Sequence, residues 1–153
     1  MPKSAPTLVA ICLRPGARIP PVRVERAHAV TNTGLEGDHA QGGKRQVTLL
    51  SIEAWRVACA ELGRELDPST RRANLVVEGL DLENAIGGTV TIGDVVIDVL
   101  GETRPCELMD DGGRLGLQKA LRPQKRGGVY GKIRSGGELR VGMECRFAPH
   151  APE

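Results

Sequence analysis

The stretch Thr89-Val90-Thr91-Ile92-Gly93-Asp94-Val95-Val96-Ile97-Asp98-Val99 decides the fold class. Val90 and Ile92 alternate with threonines before Gly93-Asp94, and Val95, Ile97 and Val99 alternate after it. Successive strand side chains point to opposite faces. A period of two interrupted by a Gly-Asp pair therefore predicts two short strands joined by a tight turn. The second strand runs through Leu100-Gly101-Glu102-Thr103 into Arg104-Pro105-Cys106. Pro105 has no N–H for a ladder and keeps Arg104 extended, so pairing is expected to stop just before the cysteine.

The same pattern recurs on either side. Thr7–Leu13 predicts a first strand closed by Arg14-Pro15-Gly16, and Val22–Val30, which contains His28, predicts a second with imperfect alternation. Gln46–Leu50 reads as a strand. Ser51 then has the position of a helix N-cap, with Ile52, Trp55, Val57, Ala58, Cys59 and Leu62 on a broad apolar face and Gly63 as the stop. One helical turn is expected within residues 67–74, before the strand Leu75-Val76-Val77, and a short helix within 111–121, after a start near Asp110. Val129–Arg134 and residues 139–147, joined by Ser135-Gly136-Gly137, read as a second hairpin-like unit. Many strands and one clear helix predict a mainly β fold, a closed or nearly closed β-barrel with a few peripheral helices, as a single domain over 1–153.

Composition narrows the function classes. Of 153 residues, 40% are hydrophobic but only 2% are aromatic, so Val, Leu, Ile and Ala must fill the core. The net charge is +2, and 16 of the 21 basic residues are arginine, the better fork for phosphate or carboxylate. Nucleic-acid binding would want a denser basic field and stacking aromatics, so none is expected. No 18-residue apolar run predicts a transmembrane helix, and Leu8–Leu13 is too short for a signal peptide, so no membrane is expected. Four cysteines at 12, 59, 106 and 145 lack any CxxC spacing. They predict free thiols and a cytoplasmic setting, not a zinc site or disulfide framework.

Two segments carry candidate chemistry. Residues 31–45 form a polar, glycine-rich loop that offers Gly37, Asp38, His39, Lys44 and Arg45 to an anionic or hydrogen-bonding ligand. Arg71-Arg72 has the look of a solvated pair, but Arg72 and Asn74 sit immediately before an apolar run, where they can be aimed into a cleft at a strand end, and Lys125-Arg126 lie in a basic loop. Cys59 and Cys145 fall on apolar faces and Cys12 in the first strand, which leaves Cys106 outside any core pattern. Arg104 stands beside it as a cation that would favour the thiolate. A hydrolytic cysteine needs a base, and His39 is the only candidate from a conspicuous loop, with no local motif behind it. The residues support a reactive or ligating thiol near a basic, anion-binding surface, with an ordinary free cysteine still open.

Several stretches, in order, resemble the MOSC domain, the module named after the C-terminal domain of molybdenum cofactor sulfurase. They are Thr33-Gly34-Leu35-Glu36-Gly37-Asp38-His39, Gln46-Val47-Thr48-Leu49-Leu50-Ser51 and Arg72-Ala73-Asn74-Leu75-Val76-Val77-Glu78-Gly79-Leu80, then Gly93-Asp94, Pro105-Cys106, Gly127-Gly128-Val129-Tyr130 and Gly136-Gly137. The likeness spans about residues 8–147. It implies a β-barrel-rich fold and a role connected to molybdenum cofactor (molybdopterin). Cys106 matches the family's cysteine, which coordinates molybdenum in some members and is proposed to receive or carry sulfur in others. The resemblance places the cofactor against Gly37, Asp38, His39, Lys44, Arg45, Arg71, Arg72, Asn74, Arg104, Lys125 and Arg126. It implies three alternatives: a sulfur carrier or sulfurtransferase, a non-catalytic cofactor-binding module with Cys106 on the metal, or a small molybdoenzyme reducing N-hydroxylated compounds with redox partners. The sulfurase's aminotransferase-like domain has no counterpart here, so pyridoxal phosphate is expected on a partner, such as a cysteine desulfurase or other sulfane-sulfur donor. The reductases' extra N-terminal barrel is likewise not expected within these residues, and self-association is one way to complete the cleft.

Overall fold

The computed structural model describes residues 5–149. These contain strands β1 (Thr7–Leu13), β2 (Val22–Val24), β3 (Arg26–Val30), β4 (Gly34–Leu35), β5 (Val47–Ser51), β6 (Leu75–Glu78), β7 (Thr89–Ile92), β8 (Val95–Glu102), β9 (Val129–Ser135), β10 (Gly137–Arg140) and β11 (Cys145–Ala148). The α-helices are α1 (Ile52–Leu62) and α2 (Leu117–Leu121), and 3-10 turns occur at Pro68–Arg71, Glu107–Asp110 and Pro123–Lys125. The fold is thus mainly β with few helices. Ile92 faces Val95 across the Gly93-Asp94 turn, as the alternation predicts.

Eight strands make one sheet in the order β11-β7-β8-β9-β5-β6-β1-β2, and β10-β3-β4 make a second. The expected barrel closure is not completed by a strand ladder. Leu8 N–H donates to Met143 C=O (2.9 Å), Gly142 N–H to Leu8 C=O (2.8 Å) and Cys145 N–H to Pro6 C=O (2.7 Å), with Thr7–Glu144 as an isolated bridge. The edge explains why. The C-terminal half of β1 is occupied by β2, with Ile11 opposite Val24, so only its first residues are left to meet the segment entering β11.

Two expectations about neighbours are corrected. The segment 22–30 is not one strand, because β2 pairs with β1 whereas β3 pairs with β10 in the other sheet. The crossing occurs at Glu25, whose carbonyl accepts from Val141 N–H at 3.0 Å. The unit at 129–147 is likewise not a hairpin: β9 lies between β8 and β5, β10 joins the small sheet, and β11 pairs with β7. Alternation sets the face of a strand but not its partner.

The large sheet buries both faces. Val47, Leu49, Leu75, Val77, Val129 and Ile133 share one core, into which Ala29, Leu35 and Leu139 of the small sheet also pack. Leu50 and Val76 point the other way, into a second core with Trp55, Met109 and Leu121 beneath the helices. By the strand period, Thr48 and Asn74, each one residue before a residue of the first core, belong to this helix-side face. β5 and β6 run parallel, with Leu49 opposite Leu75, and a parallel pair requires a crossover; α1 is its helix.

Local signals place α1 well. Ser51 Oγ accepts from Ala54 N–H at 3.1 Å, and Gly63 ends the helix at φ 77°. Trp55 is fully buried, its indole N–H spent on Leu66 C=O at 2.9 Å. Ser51→Ala removes the cap acceptor and is expected to cost about 1 kcal/mol. Equilibrium urea unfolding would show this as a lower midpoint with an unchanged slope. No helix among the described residues is long and apolar enough to cross a membrane.

Candidate functional site

The candidate residues gather in two polar clusters. The first is centred on Asp38, which is buried in the loop after β4. Arg14, just past the end of β1, donates to its carboxylate from the backbone N–H (2.7 Å), Nε (3.2 Å) and Nη2 (3.0 Å), and Ala40 N–H adds a fourth bond (3.1 Å). Asn74, fully buried, donates from Nδ2 to Asp38 Oδ1 (2.9 Å) and Cys12 C=O (3.1 Å), while its Oδ1 accepts from Thr48 N–H (3.1 Å). Thr48 Oγ1 in turn accepts from Asn74 N–H at 2.9 Å. The network ties the end of β1, the 37–40 loop, β5 and the entry to β6 into one rigid corner. Burial alone would raise the Asp38 pKa, but the Arg14 and Ala40 bonds outweigh it and hold the carboxyl below its ordinary range.

The second cluster surrounds Cys106. Of the four cysteines, Cys12, Cys59 and Cys145 are buried and Cys106 is exposed. Burial pushes the Cys12 thiol up, and the Cys145 thiol up to about 12, so these two are poor thiolates. Cys106 occupies the N-cap position of the turn Glu107–Asp110, so helical structure starts directly after the thiol and not near Asp110 as expected. Asp110 Oδ1 is engaged by Gln118 N–H at 2.9 Å, which ties that carboxylate to the start of α2.

Arg71 reaches the same corner from the turn Pro68–Arg71. Its Nε donates to Gly127 C=O (2.9 Å), Nη2 to Thr103 C=O (2.7 Å), and Nη1 lies 3.9 Å from Met109 Sδ. These contacts bracket Cys106, with Thr103 three residues before it and Met109 three after. Burial lowers the Arg71 pKa, Cys106 acts in the opposite direction, and Arg45 pushes it down further. Arg45 is exposed and lies over the Tyr130 ring at 4.9 Å from its centroid. Tyr130 can lie there because it packs over Gly101, where a methyl group would sit 2.6 Å from the phenol oxygen. Among the described residues neither Arg45 nor Arg71 forms an ion pair.

The remaining expected residues divide between these clusters and other places. Arg72, in the left-handed conformation at φ 66°, donates to the carbonyls of Ile19 and Gly16, and its ionisable neighbours are Arg14 and Asp38. The cation beside Cys106 is therefore Arg71, and Arg72 belongs with the first cluster. Gly37, His39, Lys44 and Arg104 are exposed, and His39 is held through its backbone N–H to Arg14 C=O at 2.8 Å. Arg126 is turned inward, donating to Ala120 C=O (3.0 Å) and pairing with Glu61 (2.8 Å). With Lys125 it lines a different depression, against Ser51 and residues 80–83. A cavity of about 900 Å³ beside Trp55 and Cys59 of α1 does not include Cys106.

Sequence reasoning missed Arg14, Thr48, Thr103 and Tyr130. Tyr130, one of only three aromatic residues, was the one with a usable signal. The others act through partners distant in sequence.

Compared with known proteins, the chain matches the sequence profile of the MOSC domain over residues 36–146. Among solved structures it is similar to the YuaD protein from Bacillus subtilis, with a TM-score of 0.79 at 16% identity over 94% of this chain and 96% of that one. It is similar to YiiM from Geobacillus stearothermophilus, with a TM-score of 0.76 at 18% identity over 94% and 75% of the two chains. YiiM from Escherichia coli gives a TM-score of 0.69 at 16% identity over 96% and 72%. At these identities the likeness to the solved structures is one of fold. No curated protein matches the chain.

Proposed function

The chain belongs to the MOSC domain family, and from that premise we propose that it handles sulfur for the molybdenum cofactor, with Cys106 taking up sulfane sulfur as a persulfide and passing it to the cofactor or a related acceptor. The family association supports the link to molybdenum cofactor. The sulfur-carrying step rests on one observation: Cys106 is the exposed thiol of the four, beside a guanidinium held by main-chain carbonyls and without a carboxylate partner among the described residues. A persulfide carries negative charge, and an adjacent fixed guanidinium attracts it.

The residues suit the cofactor as a visiting partner. Among the described residues no group of three or more His, Cys, Asp or Glu could hold a metal ion. Molybdenum would therefore arrive with the sulfur ligands of its own pterin, and Cys106 would add one thiolate. The paired cations Arg45 and Arg71 suit the anionic end of such a molecule. Sulfur would come from a separate sulfane donor such as a cysteine desulfurase, in the cytoplasm, where thiols stay reduced.

The test is delivery. Protein preloaded by a sulfane donor is mixed with chemically reduced molybdenum cofactor that keeps its pterin dithiolene but lacks a terminal sulfido ligand, and the protein's intact mass is followed. The carrier reading expects the added sulfur to leave the protein on mixing. Cofactor retained in stoichiometric amount by a protein that never takes up sulfur would favour the binding-module reading instead.

A further inference from the structure

We propose that the sulfur donor this site accepts directly is a sulfur oxyanion of the thiosulfate class, its sulfonate end held by Arg45 and Arg71 while its outer sulfur faces Cys106. The inference rests on the carrier reading of Cys106 and narrows it to a donor.

The geometry points to a compact oxyanion. Arg71 approaches Thr103 and Gly127, while Arg45 stands over Tyr130, which covers Gly101. Gly101 and Thr103 are two positions apart at the end of β8, roughly 7 Å of extended chain. The two guanidiniums are thus held from neighbouring points at the end of β8, where the charge of Arg45 bears on Arg71, with no carboxylate paired to either among the described residues. Like charges left together without a counter-ion are unfavourable, and an anion between them relieves the repulsion. A guanidinium has five N–H donors. Arg71 spends two on carbonyls and directs one at a thioether, which leaves donors for a ligand. The Cys106 thiol opens the next turn and is exposed.

The step balances without an added oxidant or reductant. Cys106 gives its proton to solvent, and the thiolate Sγ attacks the outer sulfur of thiosulfate. A new S–S bond forms to Cys106, the old S–S bond breaks, and its electron pair leaves with sulfite. The products are the Cys106 persulfide anion and sulfite, and the total charge is unchanged. Arg45 and Arg71 would stabilise the departing sulfite as negative charge gathers on it.

The experiment compares two donors on reduced full-length protein: thiosulfate, read by sulfite release and intact mass, and 2-hydroxyethyl hydropersulfide, which lacks the oxyanion. Arg45→Met is the informative variant because Arg45 is exposed. It should lower the ratio of thiosulfate to hydropersulfide loading rates about tenfold, the effect of losing one charge-assisted contact. Arg45→Lys should recover part of that ratio, and added salt should depress the thiosulfate arm more. If the hydropersulfide loads Cys106 and thiosulfate does not, or if Arg45→Met slows both donors equally, the thiosulfate assignment is overturned while the carrier reading stands. If neither donor loads Cys106, the carrier reading falls and takes this inference with it.

Discussion

Asp38→Ala is expected to destabilise the fold by about 3 kcal/mol or more, the scale of removing one partner from a buried ion pair. The change strips Arg14 of its carboxylate, leaves Asn74 Nδ2 with one acceptor fewer and frees the Ala40 amide. Because that network joins β1, β5 and the entry to β6, the loss should register as a lower unfolding midpoint and not as local fraying. A pH dependence goes with it. Asp38 has a folded pKa below its unfolded value, so its contribution is complete above roughly pH 4, the ordinary carboxylate range, and is lost as pH falls through the folded value. Wild type should therefore lose stability on acidification in that window, and Asp38→Ala should lack that share of the slope. A variant as stable as wild type at neutral pH would show that the network does not hold the corner.

Gly128→Ala is the second large effect. Gly128 has φ 98°, outside the range an L-residue readily adopts, and an added methyl would overlap the Leu49 carbonyl oxygen of the neighbouring strand and lie 3.3 Å from Thr103 Oγ1. The left-handed backbone alone costs about 1–2 kcal/mol, and a backbone oxygen cannot rotate aside as a side chain can. The loop bearing Gly127 must then shift, although its carbonyl accepts from both Arg71 Nε and Thr103 Oγ1 at 2.9 Å. We expect a loss of about 3 kcal/mol in urea unfolding, against few tenths for most surface changes, together with slower sulfur loading at Cys106. Unimpaired stability with normal loading would show that the approach of β5 to Gly128 does not position the site.

What the sequence disclosed follows the reach of each signal. The Gly93-Asp94 turn and α1 were legible because alternation, Ser51 and Gly63 are local. The division of residues 22–30 between two sheets was not, since Glu25 changes course to meet Val141, far along the chain. The expected closed or nearly closed barrel is not confirmed by a continuous ladder for the same reason: β2 occupies part of an edge that alternation describes only by its faces.

The site shows the same limit. Cys106 stood out because the other three cysteines fall on apolar patterns, and those three are buried. Which arginine accompanies it could not be read. Arg71 and Arg72 are adjacent, and the left-handed turn at Arg72 sends them to different clusters, a conformation that a non-glycine residue does not announce. Asp38 looked like a ligand-binding acid, yet its oxygens are occupied by Arg14, 24 residues earlier, and by Asn74, 36 later. Arg126 looked like a surface cation and instead pairs with Glu61 of α1.

The central claim, that Cys106 is the sulfur-bearing thiol, is tested most directly by loading reduced protein with isotopically labelled sulfane sulfur, trapping persulfides by alkylation and mapping the label onto peptides. The account predicts label on the Cys106 peptide, none on those of Cys12, Cys59 or Cys145, and no uptake by Cys106→Ser. Label on a buried cysteine, or undiminished uptake by Cys106→Ser, would contradict it.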